Sequence, residues 1–276
     1  MIIMAEEHEE LDEFIDKVIH AEMCELIIHK IAPYTCQFLK RDQFNELVPF
    51  ASGVMAKLGG YYYILTASHV IEDWSDANPL FLQIKDGYMS VAGKGCGTHI
   101  EKEKRLDTAY IKLKPTAVPL LKQWYKFLTI SKFLYHYKLL LDADYCVFGF
   151  PVAIQKKENG RPKEKGVAYF VRPHPDKVFI NYDLDFLAHY VLEFKGKAVN
   201  IMTHRSEKVK IEHYGLSGGG LWYTTMKLKG SKIISQAYLI GIMTEFRKGK
   251  YECLIANRIE IALASLHRNE SLEFKK

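Results

Sequence analysis

The sequence predicts an all-β protein of the barrel or sandwich type, with a helix near each end. Two observations predict it. From residue 34 onward, short runs rich in Tyr, Val, Ile and Phe alternate with Gly, Asn and Asp turns, and few segments carry helical periodicity. The bulk composition permits such a core. The 276 residues are 48% hydrophobic and 26% charged, which excludes wholesale disorder.

Residues 6–31 begin the chain as an amphipathic helix. Leu11, Phe14, Ile15, Val18, Ile19, Leu26 and Ile27 recur near the 3.6-residue period with acids between them, and Pro33 stops the pattern. Strands are then predicted at Tyr34–Leu39, Ala51–Lys57, Tyr61–Thr66, Leu80–Lys85, Tyr88–Ala92 and Thr108–Leu113. Further strands are predicted at Tyr145–Phe150, Ala168–Arg172, Val178–Asn181, Tyr190–Phe194, Leu221–Met226, Ala237–Thr244 and Tyr251–Ile255. Between the two groups, Pro115–Leu140 is apolar, aromatic and more helical in flavour, so it reads as a connector. Gly93 to Gly97 reads as a tight turn. Asn257–His267 closes the chain as a helix, with Ile259, Ala262, Leu263 and Leu266 on one face.

Several function classes are excluded. No apolar run approaches the roughly 18 residues of a membrane helix. The acid-rich start, from Glu6 to Asp16, is unlike a secretory signal. Five cysteines at scattered positions form no C-x-x-C pair, so reduced, buried thiols in a cytoplasmic protein are expected. No H-E-x-x-H motif or close Cys/His cluster points to a metal. The net charge is +5 although the first twenty residues carry seven acids and one lysine. The remaining basic residues are scattered. The one cluster, Lys156 to Lys165, is broken by Asn159, Gly160 and Pro162 and reads as a solvated loop, so no nucleic-acid partner is implied.

Three motifs carry chemistry. Tyr63-Ile64-Leu65-Thr66-Ala67-Ser68-His69-Val70 is an apolar strand that ends in small residues and then presents a histidine. Leu106-Asp107-Thr108-Ala109 opens a strongly apolar strand with an aspartate, and a carboxylate there must be hydrogen-bonded. Gly215-Leu216-Ser217-Gly218-Gly219-Gly220 surrounds one serine with four glycines, a loop able to aim backbone N–H groups at an anion. His, Asp and Ser in this chain order are one of the known linear arrangements of the catalytic triad.

At these motifs the chain resembles the trypsin-like serine peptidases. "LTASHV", "LDTAYIKL" and "GLSGGG" are similar to that family's Thr-Ala-Ala-His, Asp-Ile-Ala-Leu and Gly-Asp-Ser-Gly-Gly-Pro motifs. "ASGVM", "YCVFGFP" and "LIGIMTE" are similar to its supporting strands, and the resemblance covers about residues 33–265. It implies two six-stranded antiparallel β-barrels in a cytosolic, bacterial-type member. The implied divisions are 1–32 for the N-terminal helix, 33–125 and 144–256 for the barrels, 126–143 for a connector and 257–276 for the C-terminal helix and tail.

The resemblance also implies the roles. Ser217 is the nucleophile, His69 the general base and acid, and Asp107 the partner that orients His69. The N–H groups of Gly215 and Ser217 form the oxyanion hole, and the Thr244 hydroxyl supports Asp107. No cofactor and no metal are implied, and the substrate is a protein or peptide. The substrate pocket draws on His213, Tyr214, Glu245 and Phe246. Ile211 stands where trypsin-type members carry an acid. Leu216 replaces the Asp that pairs with a zymogen-released N-terminus, so activation by such an insertion is not expected. The disulfide cysteine that follows the catalytic His in secreted members is here Val70.

Two other readings exist. Gly215-x-Ser217-x-Gly219 also fits an α/β-hydrolase elbow, but no Asp follows Ser217 and the only later His is His267. A catalytically inactive trypsin-fold binding module is the second reading. Residues 1–31 are either a helix docked against the first barrel or a regulatory element that gates activity or recruits a protein partner.

Overall fold

The computed structural model describes residues 18–85, 87–98, 105–140, 145–152, 156–158, 161–163, 166–193, 197–200, 205–208, 215–230 and 232–274. A helix over 18–30 (α1) leads into the first sheet. That sheet holds β1 (Thr35–Arg41), β2 (Leu47–Leu58), β3 (Tyr61–Thr66), β4 (Phe81–Ile84), β5 (Gly87–Ser90), β6 (Gly93–Gly97) and β7 (Ala109–Leu113), in the order β5-β4-β1-β2-β3-β7-β6. The connector carries a short helix, α2 (Val118–Leu121), and β8 (Leu128–Thr129), which pairs parallel to β2.

The second sheet contains β9 (Tyr145–Gly149), β12 (Val167–Pro173), β13 (His189–Glu193), β16 (Gly220–Lys229), β17 (Lys232–Arg247) and β18 (Cys253–Arg258). These six close into a ring, because β13 pairs with both β18 and β12. A hairpin of β14 (Lys197–Asn200) and β15 (Arg205–Lys208) extends β12, and β10 (Lys156–Glu158) pairs with β11 (Arg161–Lys163). The helices α3 (Lys177–Tyr182) and α4 (Ile259–Glu270) complete the described chain.

The apolar runs are nearly continuous because many strands bury both faces. Ile64 points into the first barrel, whereas its neighbours Tyr63 and Leu65 face the seam between barrels. Val147 points into the second barrel, whereas Cys146 and Phe148 face the seam. The seam is a shared core that joins Val54, Tyr63, Phe148, Trp222 and Leu239 to both terminal helices. Leu26, Ile27 and Ile31 enter it from the N-terminal side, and Ile259, Leu263 and Leu266 from α4. The C-terminal part of the described N-terminal helix is therefore docked, whereas Ile19, predicted on its apolar face, is 47% exposed. Gly59 and Gly60, both at positive φ (56° and 84°), make the two-residue turn that joins β2 to β3.

Some elements differ from the sequence reading. Val178–Asn181 lies in α3 rather than a strand, with Val178 and Phe179 buried and Ile180 77% exposed. A half-buried strand would alternate, and this segment does not. Gly93–Gly97 is a strand rather than a tight turn, and the expected Lys156–Lys165 loop contains the β10–β11 hairpin. Asn257 is the penultimate residue of β18, and the last helix starts at Ile259. Residues 6–17 of the predicted first helix lie outside the described residues. None of the five cysteines is in a disulfide and four are buried, and burial pushes the Cys253 thiol up to about 11. Among the described residues no helix is long and apolar enough to cross a membrane.

Trp222 has no exposed surface, and its indole nitrogen has no partner among the described residues. Trp222→Ala is expected to cost about 3–5 kcal/mol in urea denaturation. Trp222→Phe should cost less than half of that, because it removes a buried, unpaired N–H along with some volume.

Candidate active site

His69 lies in a single 3-10 turn, Ser68–Val70, directly after β3. Two short side chains, Ala67 and Ser68, are buried beneath it, so the chain turns while the imidazole stays 44% exposed. Four bonds tie this turn to the segment before β7. The Ser68 N–H donates to Asp107 O (3.2 Å) and the Ser68 hydroxyl to Thr108 O (3.0 Å). The His69 N–H donates to Asp107 Oδ1 (3.0 Å), and the ring nitrogen Nδ1 lies 2.6 Å from Oδ2. Both carboxylate oxygens of Asp107 thus serve one residue, and the ring bond selects the tautomer whose Nε2 is open.

The His69 pKa is raised above its ordinary value. Burial is the largest single influence and acts against the charge. The Asp107 hydrogen bond and the charges of Asp107, Glu72 and Glu245 together outweigh it.

Ser217 arrives from the other sheet, on the loop that precedes β16. Glycine is obligatory there for spatial reasons. A Cβ on Gly218, whose φ is 84°, would lie 2.0 Å from Ser52 O and 2.1 Å from Thr66 Oγ1, both in the first barrel. A Cβ on Gly215, whose φ is 95°, would lie 2.4 Å from Phe150 O. The loop is bonded across the seam as well. The Ser52 N–H donates to Ser217 O (2.8 Å), and the Ser52 hydroxyl donates to Gly215 O (2.6 Å) while accepting from the Phe150 N–H (2.9 Å). Thr66 Oγ1 donates to Ser52 O (2.8 Å). On its own side, the Gly218 N–H donates to Met243 O (2.7 Å). Leu216 is buried among Val147, Leu221 and Met243, so the loop is anchored here by apolar packing. Among the described residues, the N–H groups of Gly215 and Ser217 have no acceptor.

Ser217 and His69 line one cleft of about 930 Å³, together with Gly215, Thr244, Glu245 and Phe246. A second cavity of about 610 Å³ adjoins it past His69 and Asp107. The Ser217 hydroxyl donates to Thr244 O at 3.4 Å. The Thr244 hydroxyl donates to Ile255 O (3.2 Å), so it is directed at β18 instead of at Asp107. The side chain that does reach Asp107 from β18 is Asn257, whose Oδ1 accepts the Asp107 N–H at 2.7 Å. The Glu245 carboxylate is held by Arg247 through two bonds, 2.7 and 2.9 Å. His213 and Tyr214 lie outside the described residues, as does Ile211. Among the described residues no group of His, Cys, Asp and Glu side chains is placed to hold a metal ion.

No protein-family profile and no curated protein matches the chain. Solved structures do. The chain is similar to an inactivated protease paralogue of the scabies mite, with a TM-score of 0.54 at 14% identity, covering 88% of this chain and 96% of that one. It is similar to the protease Anisep of Arthrobacter nicotinovorans, with a TM-score of 0.53 at 10% identity over 86% and 94%. It is also similar to the Drosophila Grass clip serine protease of the Toll pathway, with a TM-score of 0.53 at 16% identity over 88% and 71%. The fold is that of the trypsin-like serine proteases. These structures come from a mite and a fly as well as from Arthrobacter, so the likeness does not carry the bacterial, cytosolic character that the sequence led us to expect.

Sequence reasoning missed Ser52, Ser68 and Asn257 as supports of the site. Ser52 stands in the sequence only as a small residue of "ASGVM", and Ser68 only as a small residue beside His69. Ser52→Ala is expected to cost about 1–3 kcal/mol in urea denaturation, because it strips buried Gly215 O and Phe150 N–H of their partner. Gly218→Ala is expected to displace the Ser217 loop and destabilise the fold in urea denaturation, because a Cβ there meets Ser52 O at 2.0 Å and the loop must leave that carbonyl.

Proposed function

We propose that the chain is a serine endopeptidase working through His69, Asp107 and Ser217. One observation carries the reading. Ser217 and a His69 hydrogen-bonded to Asp107 at 2.6 Å line the same cleft. In the reaction, Ser217 Oγ attacks the scissile carbonyl as His69 Nε2 takes its proton. The oxyanion so formed is received by the N–H groups of Gly215 and Ser217, which have no acceptor among the described residues. His69 then gives its proton to the leaving amine, and the acyl group stays on Ser217 until water, deprotonated by His69, attacks it; His69 returns that proton to Ser217 Oγ as the acid product leaves. Asp107 holds the ring in place and stabilises the imidazolium.

The substrate is an extended protein or peptide segment, with Glu245 and Phe246 lining its path. His213 and Tyr214 are assigned to the pocket on sequence grounds alone. Five scattered cysteines, four of them buried and none in a disulfide, support a reducing, cytoplasmic setting. Leu26, Ile27 and Ile31 are docked in the seam, and the role of recruiting a regulatory partner is assigned to the N-terminal helix on sequence grounds alone.

A second reading, an inactive binding module, has its own support. The Ser217 hydroxyl is directed at Thr244 O, and one of the similar structures is described as an inactivated protease paralogue. Catalytic hydrogen bonds are often long or misaligned until substrate binds, so this orientation is compatible with the peptidase reading too. Hydrolysis of an unstructured protein substrate, read by mass spectrometry of the products, separates the two. Cleavage that disappears in Ser217→Ala and falls about 10⁴-fold in Asp107→Asn supports the peptidase. Binding without cleavage supports the module.

The pH dependence has a definite sign. His69 accepts a proton only when neutral, and its pKa is raised above the ordinary 6.5. The acid limb of kcat/KM should therefore have its midpoint above 6.5, and Asp107→Asn should move that midpoint downward.

A further inference from the structure

Asp107 belongs to the first barrel, but the chain leading into it is fastened to the second. Arg105 has a left-handed backbone, with φ 52°, which a residue with a side chain keeps only when its surroundings hold it. Three bonds do so. The Arg105 guanidinium donates to Tyr182 O at the end of α3. The Arg105 carbonyl oxygen lies 3.1 Å from His189 Nε2. Two residues further on, the Asp107 N–H donates to Asn257 Oδ1 at 2.7 Å. His189 and Asn257 are register partners on β13 and β18, so one rung of the second barrel meets the segment at both 105 and 107.

His189 is only 2% exposed, and its other ring nitrogen, Nδ1, lies 3.0 Å from Asp185 O. A neutral ring serves the Arg105 carbonyl only as the Nε2–H tautomer, whereas an imidazolium serves both carbonyls. In either case the hydrogen on Nε2 is the tie to Arg105. The adjoining cavity brings the charged side chains of Glu72, Arg105, Asp107, Glu245 and Arg247 around this region, and the test below leaves all of them in place.

We propose that His189 is a positioning residue whose Nε2–H ties the Arg105 carbonyl to the second barrel and thereby seats Asp107 against the His69 imidazole. Its effect on turnover rests on the peptidase reading, whereas its effect on His69 does not. Both Asp107 oxygens are committed to His69. If the approach to Asp107 loosens, the ring loses part of the partner that favours its proton.

The test follows His69 by NMR in the full chain, as a pH titration of its ring Cε1–H, in wild type, His189→Leu and His189→Gln. The midpoint should move to lower pH in His189→Leu. It should return in His189→Gln, whose amide can donate from nearly the same position. With a peptide substrate, kcat should fall about tenfold in His189→Leu with KM within about twofold. An unmoved midpoint in a folded His189→Leu overturns the proposal, and so does a shift that His189→Gln fails to restore. The proposal stays falsifiable if His189→Leu does not fold. The ring ¹⁵N shifts of wild type must show a protonated Nε2 on His189, and an unprotonated one overturns it. The two readings fail separately. A midpoint that moves as stated in a chain without turnover defeats only the peptidase reading, and turnover with an unmoved midpoint defeats only the positioning role.

Discussion

Ser52 is wholly buried where the two barrels meet, and the geometry of the candidate site depends on its bonds. Its N–H and hydroxyl hold two carbonyls of the serine loop, and its own carbonyl takes the Thr66 hydroxyl. The site is split: His69 and Asp107 come from one sheet, Ser217 from the other. Two independently folded barrels would leave their relative placement to an apolar seam, which is strong but not directional. Hydrogen bonds across the seam add direction. Gly218 completes the lock, because the space for its missing side chain is occupied by Ser52 O and Thr66 Oγ1.

A second set of bonds crosses the seam in the opposite sense. Asn257 and His189 reach from the second barrel to the segment that delivers Asp107. Each half of the site is thus fastened by the barrel that does not carry it. Such reciprocal fastening fixes the separation of His69 and Ser217 from both barrels at once. That fixity matters, because displacements of about 1 Å in a reacting group cost orders of magnitude in rate. Charge is arranged with similar economy. Asp107 is spent on His69, and Glu245 is held by Arg247, so the wall of the cleft beside Ser217 presents a paired carboxylate.

Much of the fold was legible because burial of both strand faces leaves continuous apolar runs, as around Val147 and Leu221. Val178–Asn181 misled because a short run of Val, Phe and Ile carries no period long enough to separate helix from strand. Gly93–Gly97 misled for a different reason. Its glycines permit close approach to β7, where a Cβ on Gly93 would lie 2.3 Å from Lys112 O, and that reads locally as a turn. The residues proposed for chemistry stood out because their motifs are local. Their supports did not, because Ser52 meets Gly215 across 163 residues and Asn257 meets Asp107 across 150. Nothing near Ser52 or Asn257 in the sequence marks such a partner. Thr244 was the exception in reverse: a hydroxyl in a suitable place along the chain whose bond goes to Ile255.

The central claim is that Ser217 is an assembled, activated nucleophile. Intact mass after incubation with a fluorophosphonate tests it most directly, because the probe reacts with a serine whose proton has somewhere to go and whose oxyanion is received. The account predicts one adduct on wild type, mapped to Ser217, and none on Ser217→Ala or on His69→Ala. A folded wild type that takes no adduct, or one that takes it equally after Ser217→Ala, would contradict it.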